Sequence, residues 1–141
     1  MKRVVALAVL GLVLSPPAAA ARHSAAGLSI AVPSGWHVVK RRLTPCSNPI
    51  ERIDLAGDGA LVMLQEALDR AYVRRFPRRP RRFTVAGEPN VIACCGVARR
   101  KGWMIPFRDR GRSFYAYVYP GRAGSLRAAL GALRSLRVTP P

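Results

Sequence analysis

Apolar and polar positions alternate through most of this chain, and the alternation predicts strands. It is clearest at residues 102–121, GWMIPFRDRGRSFYAYVYPG. Trp103, Ile105 and Phe107 alternate with Met104 and Pro106, and Phe114, Ala116 and Val118 alternate with Tyr115, Tyr117 and Tyr119. A period of two places successive side chains on opposite faces of a sheet. The polar run 108–112 between them, with Asp109 and Gly111, reads as a hairpin loop of about five residues needing one position at positive φ. This hairpin is expected to be the hydrophobic centre.

Upstream, residues 22–27 are small or polar and read as a loose lead-in. Leu28, Ile30 and Val32 then form a strand pattern that turns at Pro33, Ser34 and Gly35 and resumes at Trp36 and Val38. Pro45 and Pro49 exclude a helix between residues 44 and 49. Ile53 and Leu55 lead through Gly57, Asp58 and Gly59 into Leu61, Val62, Met63 and Leu64. The economical reading is a strand, a reversal and a second strand that is apolar on both faces, as a central strand would be. Its rival is a helix over 61–72, because Leu61, Leu64 and Leu68 are also at helical spacing. Pro77 and Pro80 keep residues 70–82 out of a long helix and make them an exposed extended loop, and 83–86 and 91–95 read as short strands. After the central hairpin, Ser125 can cap a helix carrying Leu126, Leu130 and Leu133 on one face, before a last extended piece at Leu136 and Val138. The expected architecture over 28–139 is one α+β domain: a single antiparallel β-sheet with a C-terminal helix packed on one face.

The N-terminus has its own pattern. Lys2 and Arg3 precede the apolar run 4–14, then Ser15, Pro16 and Pro17, then alanines 18–21. That is the layout of a secretory signal peptide over 1–21, too short in its apolar part to span a bilayer comfortably. The first cysteine, Cys46, is far from it, so no lipid anchor is expected. The chain is read as secreted or held in the cell envelope, outside the cytoplasm.

Charge sharpens this picture. Twenty-four Lys and Arg stand against seven Asp and Glu, a net charge of +17, and 21 of the cations are Arg. Such a field favours anionic partners. The abundance of Arg, Ala, Gly and Pro also matches the codon bias of a GC-rich genome. The densest cluster is Arg74, Arg75, Arg78, Arg79, Arg81 and Arg82, a candidate anion-binding segment whose bland reading is a solvated loop shaped by that bias.

Cys46, Cys94 and Cys95 permit one bridge and one leftover thiol in an oxidising compartment. Cys94 and Cys95 would point to opposite faces of a strand, so one of them pairs with Cys46. Cys95 is preferred because it abuts Gly96, and Cys94 stays open as the alternative. A vicinal Cys94–Cys95 redox bridge, or a soft-metal site joined by Met63 or Met104, is the functional rival. The only histidines are His23 and His37, the carboxylates are few, and no nucleophile elbow or phosphate loop occurs. The Tyr115, Tyr117, Tyr119 stripe is read as packed beneath a helix or, more sharply, as an exposed aromatic platform flanked by Arg108, Arg110 and Arg112.

SIAVPSGWHV near the start and ALGALRSLRV at the end resemble small exported bacterial domains with the PsbP-like fold. TPCSNPIERIDL, LVMLQEAL, the Cys94 and Cys95 pair and FRDRGRSFYAYVYPG are similar to uncharacterised secreted proteins of high-GC Gram-positive bacteria. The resemblance implies a binding or accessory module and brings no catalytic residues. The expectation is therefore an exported, non-enzymatic binding domain without cofactor or bound metal. Its expected partners are anionic envelope polymers or a membrane surface, with no specific nucleic acid and no protein partner identified. An envelope thiol or soft-metal protein using Cys94 and Cys95 is the alternative, and a small hydrolase the second.

Overall fold

A computed structural model describes residues 20–40, 49–69, 71, 74–92 and 100–141. The predicted signal peptide, apart from its last two residues, and all three cysteines lie outside the described residues, as does the Cys46 to Cys95 pairing.

Nine strands and a ten-residue helix form among these residues: β1 (Arg22–Ala25), β2 (Leu28–Ala31), β3 (His37–Val38), β4 (Ile50–Gly57), β5 (Ala60–Ala67), β6 (Asn90–Val91), β7 (Lys101–Asp109), β8 (Arg112–Tyr119), α1 (Ser125–Arg134) and β9 (Arg137–Val138). They make two antiparallel sheets, one ordered β1-β2-β9 and one ordered β3-β4-β5-β8-β7-β6. This corrects the expected single sheet with a packed helix: the fold is mostly β, and α1 shares its side of the large sheet with a second, smaller sheet.

The second sheet arises at both ends of the domain. Residues 22–25, expected as part of a loose lead-in, pair with β2, and Val138 of β9 pairs with Leu28. Side-chain pattern gives no hint of β1, because its hold is polar. Arg22 donates from Nε to Ser29 Oγ at 3.0 Å, and from Nη2 to the carbonyls of Ser29 and Ser135, both at 2.9 Å.

β5 and β8 are the centre of the large sheet, in register from Leu61↔Tyr119 to Ala67↔Ser113. The β5 strand reading therefore stands over its helical rival, and every residue of β5 is buried. One face of the sheet carries Ile53, Leu55, Val62, Leu64, Phe107, Phe114, Ala116 and Val118 against α1 and the small sheet. Phe83 and Phe114 both pack on Phe107, with ring centroids 5.2 and 5.3 Å apart. Each such aromatic pair adds about 0.5–1.5 kcal/mol beyond its area burial. Residues 83–86 are not a strand; Phe83 serves there as a buried anchor.

Three hairpins turn over two residues, Ala26-Gly27, Asp58-Gly59 and Arg110-Gly111, each with both positions at positive φ. That is the primed turn whose twist matches paired strands. The central hairpin loop is thus two residues, not five, and Arg108, Asp109 and Arg112 belong to the strands. Helix α1 is entered at Gly124, at φ 84°, with no side-chain cap. Ser125 is its first residue rather than its cap, and its hydroxyl accepts the Gly121 N–H at 2.9 Å.

Candidate functional site: a basic groove at the sheet edge

The arginine segment is built into the sheet. Phe76 is buried and meets the Tyr115 ring edge-on at 4.8 Å, and Phe83 anchors the other end. Between them the backbone runs along the outer edge of β7: Arg108 N–H donates to Pro77 O at 2.8 Å and Arg79 N–H to Arg108 O at 2.9 Å, a parallel bridge between Arg78 and Arg108. The expected open loop is thus, at residues 77–79, an extra piece of the sheet. Proline suits that position because an edge segment needs no second row of donors.

This pinning divides the six arginines. Arg79 turns inward, donating to Asp109 Oδ2 at 2.9 Å, to Leu133 O at 3.3 Å and to Arg134 O at 2.9 Å, with its guanidinium 5.7 Å from the Phe83 ring centre. Those carbonyls end α1, where a cation is favoured by the helix dipole. Arg79 is therefore a structural strap. Arg74, Arg75, Arg78, Arg81 and Arg82 are exposed and make no ion pair with any described residue.

Three residues outside the cluster join it. An open groove of about 450 Å³ is lined by Arg78, Arg79, Arg108, Asp109, Arg110 and Gly111. A second depression of about 530 Å³ shares Arg79, Asp109 and Arg110 and extends to Arg137. Five arginines and one aspartate surround the joined space, and the aspartate is held by Arg79. In sequence, Arg108, Arg110 and Arg137 belong to no run of arginines, and only the register of β7 and β9 brings them to Arg78. The clue available was the FRDRGR spacing, read above as flanking an aromatic platform.

That platform does not form. Tyr119 is fully buried and Tyr117 nearly so, while Tyr115 is half-buried under Phe76. They line the sheet face opposite α1, so the helix does not cover them either. Arg112, read as a flank, points to the other face and lies in an internal ion-pair cluster. It donates from Nε to Glu66 Oε1 and from Nη2 to Oε2, both at 2.7 Å, and from Nη2 to Ala26 O at 3.0 Å. Arg52 adds a bond to Glu66 Oε2 at 2.8 Å. Burial pushes the Glu66 carboxyl up, but the hydrogen bonds and charges of Arg112 and Arg52 outweigh it and hold the group below its ordinary value.

Among the described residues, paired acid and base groups do not converge. Asp54 is buried on the face opposite Glu66, Asp58 occupies a turn, and His37 is exposed on the edge strand β3. Among the described residues there is no cluster of three His, Cys, Asp or Glu side chains suited to a metal. No helix there is long and apolar enough to cross a membrane. The remaining chemistry of the groove is recognition by guanidinium groups, which grip phosphate or carboxylate oxygens through paired N–H donors. No family profile, curated protein or solved structure matches the chain.

Proposed function

We propose that the protein is an exported, non-enzymatic binding module that holds a phosphate-bearing polymer of the cell envelope in the groove at the outer edge of β7. The supporting observation is the Arg78↔Arg108 bridge. The backbones of paired residues on neighbouring strands lie roughly 5 Å apart, and like-charged side chains placed opposite each other oppose folding. Neither guanidinium meets a carboxylate among the described residues, so no ion pair there offsets this cost. A phosphate between them does. Arg110 and Arg137 extend the same field, and Arg74, Arg75, Arg81 and Arg82 add long-range attraction that weakens over about 8 Å at physiological salt.

Duplex DNA serves as a convenient test polyanion of known charge spacing. If Arg78, Arg108, Arg110 and Arg137 each neutralise one phosphate, the log of affinity falls against log salt with a slope of roughly −4. Replacing Arg78, Arg108 and Arg110 with Ser is expected to reduce that slope to about −1. An unchanged slope in the folded variant would assign binding to the overall charge instead of the groove.

A further inference from the structure

We infer that the groove is built for a polyol phosphate, a polymer whose phosphates are separated by units bearing hydroxyl groups. This deepens the anion-binding reading and rests on it. The observation behind it is Asp109. Asp109 anchors the Arg79 strap, but in a groove serving only negative charge its second carboxylate oxygen still repels every phosphate that enters and penalises that class of ligand. Yet Asp109, like Arg79 and Arg110, is common to both depressions, with Arg78 and Arg108 lining only the first and Arg137 only the second. Its side chain keeps 20% of its surface exposed. Arg79 occupies Oδ2, and no described residue donates to Oδ1.

A carboxylate oxygen facing a cleft is an acceptor for O–H or N–H groups. A chain made of phosphate alone offers it none. A polyol phosphate offers a hydroxyl beside each phosphate, so that one repeat can set its phosphate on Arg110, which lines both depressions with Asp109, and its hydroxyl on Asp109 Oδ1. The strap from Arg79 holds the carboxylate in place for this, and the shared lining lets the chain continue past the β7–β8 turn toward Arg137. Asp109 thus turns a general anion groove into a selective one.

The test compares three probes of matched length on the full chain by fluorescence anisotropy: poly(glycerol phosphate), the same polymer with its hydroxyls O-methylated, and inorganic polyphosphate. The unmodified glycerol polymer is expected to bind about tenfold tighter than the methylated one, the worth of one charge-assisted hydrogen bond. Asp109→Asn, which keeps the shape and one acceptor oxygen, should narrow that gap to under about threefold while tightening polyphosphate binding. The comparison of two polymers on the unaltered protein needs no variant to fold. Equal affinity for both would overturn the hydroxyl inference, and if Arg78→Ser still weakened both, the anion-binding reading would survive it. If Arg78→Ser weakened none of the probes, both would fall together.

Discussion

Arg108 and Arg112 stand four residues apart on one hairpin and do opposite things. Arg112 is 8% exposed and is bonded to a carboxylate and to the Ala26 carbonyl, joining the large sheet to the turn of the small one. Arg108 is exposed, and across the strand pairs on its two sides it meets Ser113 and Arg78. The same guanidinium is a structural bolt where acceptors converge on it and, in the proposed function, a binding group where other cations do. In a chain carrying 24 Lys and Arg, the count of charges says little about role, and what faces each charge says most.

The strongest way to break this comparison is to remove Arg112. Arg112→Met leaves the nearly buried Glu66 with Arg52 alone and is expected to cost about 3 kcal/mol, read as a lower urea midpoint. Arg108→Met should stay within about 0.5 kcal/mol of the parent. Equal losses would erase the distinction.

Acid offers a second probe. Because the folded carboxyl of Glu66 sits below its ordinary value, the stability it contributes is fully present above the unfolded value and is lost as pH falls through the folded one. The urea midpoint should therefore hold from neutrality to about pH 5 and fall below about pH 4. Glu66→Gln should flatten the Glu66 part of that decline.

A smaller effect separates Arg79 from its neighbours. Arg79→Ala deprives Asp109 and two carbonyls at the end of α1 of their donor, for an expected loss of about 2 kcal/mol. Arg81→Ala and Arg82→Ala should each change stability by under about 0.5 kcal/mol. Thermal melts of the three variants decide whether the segment divides as described. Smallest of all, Arg78→Ser should raise stability by a few tenths of a kcal/mol at low salt, and the gain should vanish near 1 M salt, where screening reaches about 3 Å.

Much of the large sheet was legible because its strands carry period-two patterns and its turns carry glycine. Asp58-Gly59 and the double-sided apolar run after it pointed to a hairpin with a central arm, and β4 and β5 are that hairpin. The pattern misled where charge sits inside a strand. Arg112 continues the inward series of Phe114, Ala116 and Val118, which a polar residue hides unless its partner Glu66, 46 positions away, is known to face it. The small sheet was legible only in part: β2 and β9 were read from their apolar positions, but β1 is fastened by backbone pairing and by Arg22, and neither leaves an apolar signature. The groove was half legible. Sequence density found Arg78, while Arg108, Arg110 and Arg137 reach it through long-range pairing that no local pattern encodes.

The segment that carries Arg78 has one more consequence, which concerns copies of the protein meeting each other. An uncovered strand edge as long as β7, a nine-residue strand, is a template on which a second chain can add and polymerise. Here β6 covers one end of that edge and residues 77–79 the other, and the covering piece is bracketed by Pro77 and Pro80, which have no N–H to offer an incoming strand. Its exposed arginines also repel the identical edge of another molecule. The basic, proline-bracketed edge thereby disfavours edge-to-edge pairing between copies of the β-rich domain.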